Sequence, residues 1–257
     1  HVIRIHLQEI NERARRFPIE IDVANVDEII VVAEHVRETA EKLFSWKKVK
    51  NSTVPNFVDV NRLLGEKLPS AEKTLGIAGI VPQRKRFDRA LDVLKKLRAE
   101  DPEWRLIVKG KQPKDIPFMY GPSRREELVW YENQYYRLDD DPELEGAVIF
   151  EGYTTTISSW YRKIGYVLSP SDFESFHFTI ADGVASGSFP VVWPWEGAKD
   201  IYPKSWIVKD TDRAAKVILN HSRSKRQNKE SQRRQFIKEN YGLESVFERM
   251  RNAMGLE

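Results

Sequence analysis

An α/β fold, a parallel sheet with helices on both faces preceded by a smaller unit of strands and a helix, is what three observations predict. The chain has 257 residues, 40% of them apolar, enough for one large core or two modest ones. Short β-branched runs such as VDEIIVVA read as buried strands. From about residue 74 onward, strand-like and helix-like segments alternate regularly, the order that builds a parallel sheet.

Taken in order, Val2 to Leu7 reads as a strand, Val26 to Ala33 as a second, and His35 to Phe44 as a helix. KVKNSTVPNFVDVNRLL supplies a short strand, a Pro-Asn turn and an irregular stretch ending near Pro69, the best linker in the chain. This divides the chain into units 1–70 and 71–257. The second unit runs as strand TLGIAGI, helix Phe87 to Glu100, strand RLIVKG, a Pro-rich insertion, helix Arg124 to Arg137 and strand AVIFEGY. It continues as helix SSWYRKI, strand YVLSP, helix Thr179 to Ser186, strand FPVVW, strand SWIV and helices to the end. No internal repeat is visible. The sequence opens at His1 directly in a strand-like run, which suggests entry into the middle of a larger protein.

The formal charge of +3 is small for this length, so the global balance does not indicate a nucleic-acid binder. There is no cysteine, which excludes disulfides and thiolate metal sites and fits a reducing compartment. No apolar run approaches the roughly 18 residues of a membrane span, and HVIRIHLQEI lacks a signal-peptide layout. A cytoplasmic protein is expected.

In a parallel sheet, ligands bind beyond the carboxyl ends of the strands. Four loops qualify. GIVPQRKRFD at 79–88 places Arg84, Lys85 and Arg86 after Gly79, where charge and helix-start amides can hold a phosphate. VKGKQP turns at Gly110, and FEGYTTTISSW turns at Gly152 before hydroxyls; Thr156 or Ser158 is expected to cap the following helix. The fourth loop, SPSDFESFHFTIAD, carries Glu174 eight residues before Asp182. At ~1.5 Å rise per residue a fully helical stretch would separate them by roughly 12 Å. Retaining glycosidases need about 5–5.5 Å and inverting ones about 6.5–9.5 Å between carboxyl groups. The spacing therefore argues against hydrolysis and for one long polar ligand, gripped at both ends with an anion at the intervening helix start.

Gly79 to Lys85, RLIVKG, VIFEGY and SPSDFESFHFTIADGVASGSFPVV together resemble, over roughly residues 27–200, the donor domain of retaining glycosyltransferases of group 1 (family 4). These enzymes have the two-domain Rossmann architecture called GT-B. The resemblance implies a Rossmann-like donor domain and the tail of an acceptor-side domain. It implies transfer of a sugar from a nucleoside diphosphate donor with retained anomeric configuration, without a metal or other cofactor. Glu174 matches the residue facing the donor sugar, and Asp182 the ribose-holding residue, which is usually Glu. The family loop Glu-Gly-Phe-Gly is Glu174-Ser175-Phe176-His177 here, followed by Phe178. His177 for glycine would crowd the diphosphate or donate to it. Lys85 matches the phosphate-binding lysine; the usual arginine after the glycine is Ile80, leaving Arg84 as its substitute. VPNFVD, with Phe57 for a usual glycine, resembles the interdomain connection. In IRIHLQE, His6 resembles the histidine pointed at the donor sugar. The implied catalytic set is Glu174, Lys85 and His6. The implied donor contacts are Gly79, Arg84, Lys85, Gly110, Gly152, Ser175, Phe176, His177, Phe178 and Asp182. A UDP- or GDP-sugar is the implied donor and a glycan or lipid-linked glycan the implied acceptor, in polysaccharide biosynthesis.

Three other features of the sequence bear on function. Asp139-Asp140-Asp141 offers hard oxygens for a divalent ion but sits between a polar helix and PELEG, which reads as a solvated loop. Trp193, Trp195 and Glu196 overhang the cleft or, for the tryptophans, pack in the core. Residues 221–240 hold seven Lys/Arg against two Glu, a solvated helix or a peripheral contact with anionic lipid. The alternative function is a non-catalytic nucleotide-sugar or nucleic-acid binding module in which the acidic pair only caps a helix.

Overall fold

Two parallel sheets organise the chain in the computed structural model, which describes residues 1–10, 16–44, 46, 48–224 and 229–256. The first sheet holds β1 (Val2–Ile5), β2 (Glu28–Val31) and β3 (Lys50–Thr53) in that order. Its β2 is buried along its whole length, which is why it reads as an uninterrupted apolar run apart from Glu28. Around it lie the one-turn helices α1 (Leu7–Ile10) and α2 (Arg16–Ile19), and α3 (Glu34–Leu43). The first strand stops at Ile5 because Leu7 starts a helical turn, in which the His6 N–H donates to Glu9 at 2.8 Å. After β3 the connection forms α4 (Val60–Leu63), capped by the Asp59 carboxylate on the Arg62 N–H.

The second sheet consists of β4 (Thr74–Ala78), β5 (Arg105–Lys109), β6 (Val148–Glu151), β7 (Tyr166–Ser169) and β8 (Phe189–Val192), ordered β6-β5-β4-β7-β8. All its pairs are parallel. The chain winds outward from β4 to β6, then crosses back to lay β7 on the other side of β4. The carboxyl ends of β4 and β7 therefore flank a topological switch point, where such sheets bind ligands.

Helices α5 (Phe87–Arg98), α6 (Arg125–Asp140), α7 (Ser158–Tyr161) and α8 (Phe178–Ala185) connect these strands. The Pro-rich insertion at 113–124 forms three short 3-10 turns. Helix α8 lies on β7 so closely that a Cβ on Gly183 would stand 2.4 Å from a Val167 methyl. Its small residues are what permit that approach. One core packs β4 and β5 against α5, with Leu75, Leu91 and Leu106 fully buried; the other joins α8 to the first sheet through Val31, Phe176 and Ile180.

SWIV is not a strand. Residues Lys204–Trp206 form a 3-10 turn after Pro203, and Ile207 alone bridges Val192. Trp206 buries against Tyr202 with ring centroids 5.8 Å apart, so this segment's apolar residues serve packing and not a ladder. The expected hydroxyl cap of α7 is also absent. Ile157 holds the cap position, and Thr154 Oγ1 instead accepts from the Thr156 N–H at 3.2 Å.

After α9 (Ala198–Ile201) and α10 (Thr211–Ser222), α11 (Glu230–Tyr241) packs on α8. The last helix, α12 (Leu243–Ala253), returns to the first sheet, where Val246 and Ala253 bury against Ile30 and Val54. Among the described residues no helix is long and apolar enough to cross a membrane. Residues 225–228 of the basic segment lie outside the described residues; within the rest, Arg233 is buried over the Phe189 ring at 5.1 Å.

Candidate functional site

At the switch point, the loop after β4 and the loop after β7 are stitched together by backbone and charge. Gly79 leaves β4 with φ 76°, a conformation that favours glycine. The Asp172 N–H donates to Arg84 O at 2.8 Å, and Arg86 and Arg89 both pair with the Asp172 carboxylate. This brings Lys85 and Arg84 onto Glu174. Lys85 Nζ donates to Glu174 Oε1 at 2.6 Å, Ser171 Oγ donates to the same oxygen at 2.8 Å, and Arg84 Nη1 lies 3.3 Å away.

Glu174 is only 5% exposed. Burial opposes its ionisation, but the charges of His177, Lys85 and Arg84 outweigh it and hold the carboxyl down to about 2. Burial likewise pushes His177 down, to about 3, against the attraction of Glu174. The imidazole is therefore neutral at pH 7, where Lys85 and Arg84 are the cations that keep Glu174 charged. His177 starts α8 in the left-handed region at φ 57°, the conformation for which glycine is the ordinary choice. Its Nδ1 lies 2.5 Å from Ser169 Oγ, which also accepts from Trp195 Nε1 at 3.1 Å. From the first-sheet side, His35 Nε2 donates to the Glu174 backbone carbonyl at 2.8 Å.

Asp182 lies in different surroundings. It lines a cleft of about 390 Å³ between the two sheets with Arg4, His6, Phe57, Arg62 and Phe178. Burial raises its carboxyl to about 7 against the opposing influence of Arg62 and a hydrogen bond with Tyr161. Arg62 also donates to Thr155 O at 3.1 Å, tying α4 to the loop after β6. Arg4 Nη2 holds the connection through Pro55 O at 3.1 Å and Asn56 Oδ1 at 3.2 Å. Burial and the neighbouring Arg4 lower the His6 imidazole, with Glu9 opposing. His6 and Asp182 thus share the cleft while Glu174, Lys85 and Arg84 share the switch point.

Gly110, at φ 108°, lies against Gly79, whose backbone nitrogen would stand 3.6 Å from a Cβ there; space beside Gly79 and Gly152 is open. Ser175 is half-buried and Phe178 exposed, but Phe176 faces the core, 5.0 Å from the Tyr241 ring. Trp193 and Trp195 are core residues and do not overhang the cleft; Glu196 is exposed. Asp139 and Asp140 end α6, and Asp141 pairs with Lys95 at 2.7 Å. Ser169, Ser171, His35, Tyr161 and Arg62 also belong to these surroundings and are not among the residues the sequence singles out. The two serines stand inside the quoted motif and were findable; His35 is 139 positions from its partner and carries no local signal.

The glycosyl transferases group 1 family model matches residues 72–221. Among solved structures, Anabaena HepE in complex with UDP and glucose superposes with TM-score 0.75 at 13% identity, covering 99% of this chain and 71% of that one. S. aureus TarM, in a mutant complex with fondaparinux, α-GlcNAc-glycerol and UDP, gives TM-score 0.71 at 19% identity over 98% of this chain and 50% of its own. A glycosyltransferase from Rickettsia africae gives 0.72 at 13% identity over 98% and 70%. These likenesses are of fold, and this chain spans about half the length of TarM. A search of curated proteins finds no match.

Proposed function

The chain belongs to the glycosyl transferases group 1 family, and from that premise we propose that it serves transfer of a sugar from a nucleoside diphosphate donor to an acceptor, with retention of anomeric configuration. The observation that carries this reading is the convergence of Lys85 and Arg84 on Glu174 at the start of α8. Two cations beside a helix start that has no side-chain cap suit a diphosphate. In this reading Lys85 and Arg84 move to the donor phosphates and meet the charge that develops as the sugar–phosphate bond breaks. The acceptor oxygen forms the new bond to the anomeric carbon, and the nucleoside diphosphate leaves with the electron pair. Glu174 faces the donor sugar, Asp182 accepts from the ribose hydroxyls, and His6 approaches from the end of β1. Gly79, Gly110 and Gly152 let the backbone come close to the nucleotide, and Ser175, Phe176, His177 and Phe178 shape the loop around the diphosphate.

HepE was solved with UDP and glucose, which makes UDP the first donor nucleotide to try and GDP the second. Calorimetric titration of the folded protein with UDP, GDP and ADP tests the reading; saturable binding of one is expected, and binding of none overturns it. The reading assigns no metal, so chelation is expected to leave transfer by the full enzyme unchanged. Its cellular part is a cytoplasmic enzyme acting on a glycan or lipid-linked glycan in polysaccharide biosynthesis. The exposed basic residues Arg223, Lys229 and Lys238 are its contact with anionic lipid. Salt-sensitive co-sedimentation with phosphatidylserine vesicles checks that contact, and absence of sedimentation at low salt rejects it.

A further inference from the structure

We propose that His177 is a specificity-determining residue whose Nε2–H, together with the Glu174 carboxylate, takes a single hydroxyl of the donor sugar. This rests on the donor-binding reading above and adds a contact to it. Ser169 is fully buried. Its Oγ accepts from Trp195 Nε1, and the partner left for its own hydroxyl proton among the described residues is His177 Nδ1. Ser169 therefore donates to Nδ1, and the neutral imidazole carries its proton on Nε2.

That Nε2–H is buried and makes no hydrogen bond, an expensive state for a polar group. It belongs to a side chain more than nine-tenths buried, held at a backbone position where glycine would rest without strain. Strain of this kind persists where the surroundings fix it, and it concentrates at ligand sites. Nε2 faces Glu174 Oε1 at 4.0 Å, too far for a direct hydrogen bond. The gap fits one oxygen about 2.7–2.9 Å from each atom. That oxygen must donate to a carboxylate and accept from an N–H, which a hydroxyl does and a phosphate oxygen does not.

Lys85 and Arg84 cover Glu174 Oε1, at 2.6 and 3.3 Å. Both are long cationic side chains, 17% and 33% exposed, with Arg84 also donating to the Phe173 carbonyl, and both are the groups a diphosphate attracts. Arrival of the donor phosphates draws the cover away and presents the donor and acceptor atoms to the sugar.

The test is calorimetry of the wild type, His177→Gly and Ser169→Ala. Each is titrated with whichever of UDP, GDP and ADP binds and with its glucose, galactose and N-acetylglucosamine conjugates. Glycine suits the left-handed position, and thermal unfolding confirms that each variant folds. The expected result is that His177→Gly loses about tenfold in affinity for the best sugar conjugate while the bare diphosphate changes little. Ser169→Ala is expected to lose part of the same preference and, in NMR of isotope-labelled histidine, the Nε2-protonated form of His177. Equal loss of both ligands, or loss of neither, overturns the sugar contact and leaves the donor-binding reading intact. A wild type that binds no nucleoside diphosphate overturns both.

Discussion

Glu174 and Asp182 stand one motif apart, yet burial has opposite outcomes for them: the first is held at about 2 and the second raised to about 7. Lys85 and Arg84 offset the desolvation of Glu174, whereas Asp182 has Tyr161 and a more distant Arg62. A carboxyl raised in the folded state contributes stability that is full below its ordinary value near 4 and is lost as pH rises through about 7. Asp182→Asn is therefore expected to gain on the order of 2–4 kcal/mol over wild type between about pH 4 and about pH 8, read from urea denaturation at both ends. A parallel pH dependence in the two proteins would refute the buried, proton-retaining carboxyl. Lys85 makes a separate prediction. Lys85→Ala is expected to weaken UDP binding by about tenfold or more while uridine binding changes little; equal losses in calorimetry would remove the phosphate contact.

At the scale of elements, α8 joins site to sheet. An alanine in place of a helical glycine ordinarily stabilises by up to about 1 kcal/mol. Here Gly183→Ala is expected to cost about 1–3 kcal/mol instead, because the new methyl would meet Val167 on β7. The sign of the change in chemical denaturation decides between propensity and packing. The order of β4 to β8 was legible because strand and helix periodicities are local properties of the chain. SWIV was misread for the same reason: an apolar run announces burial, but whether Trp206 pairs in a ladder or stacks on Tyr202 depends on neighbours distant in sequence.

Over the whole molecule, the unit of the first sheet meets that of the second at His35 of α3, whose ring packs against Gly197 and whose Nε2–H holds the Glu174 carbonyl. Removing that donor leaves a buried carbonyl unpaired, so His35→Ala is expected to cost about 1–3 kcal/mol. It is also expected to reduce sugar transfer by the full enzyme more than UDP affinity, with partial recovery in His35→Gln. Loss of stability alone, with transfer per folded molecule unchanged, would make the contact purely structural. The sequence by itself determined the order of elements, the glycines and cations after the strands, and the spacing of Glu174 and Asp182, since each is written within one short window. Only the tertiary structure decided that Lys85 and Arg84 close on Glu174, that His35 of α3 reaches its carbonyl, that Asp182 and His6 line one cleft, and which carboxyl burial raises. Those are matters of burial and of charges brought together from distant positions, and no local window contains them.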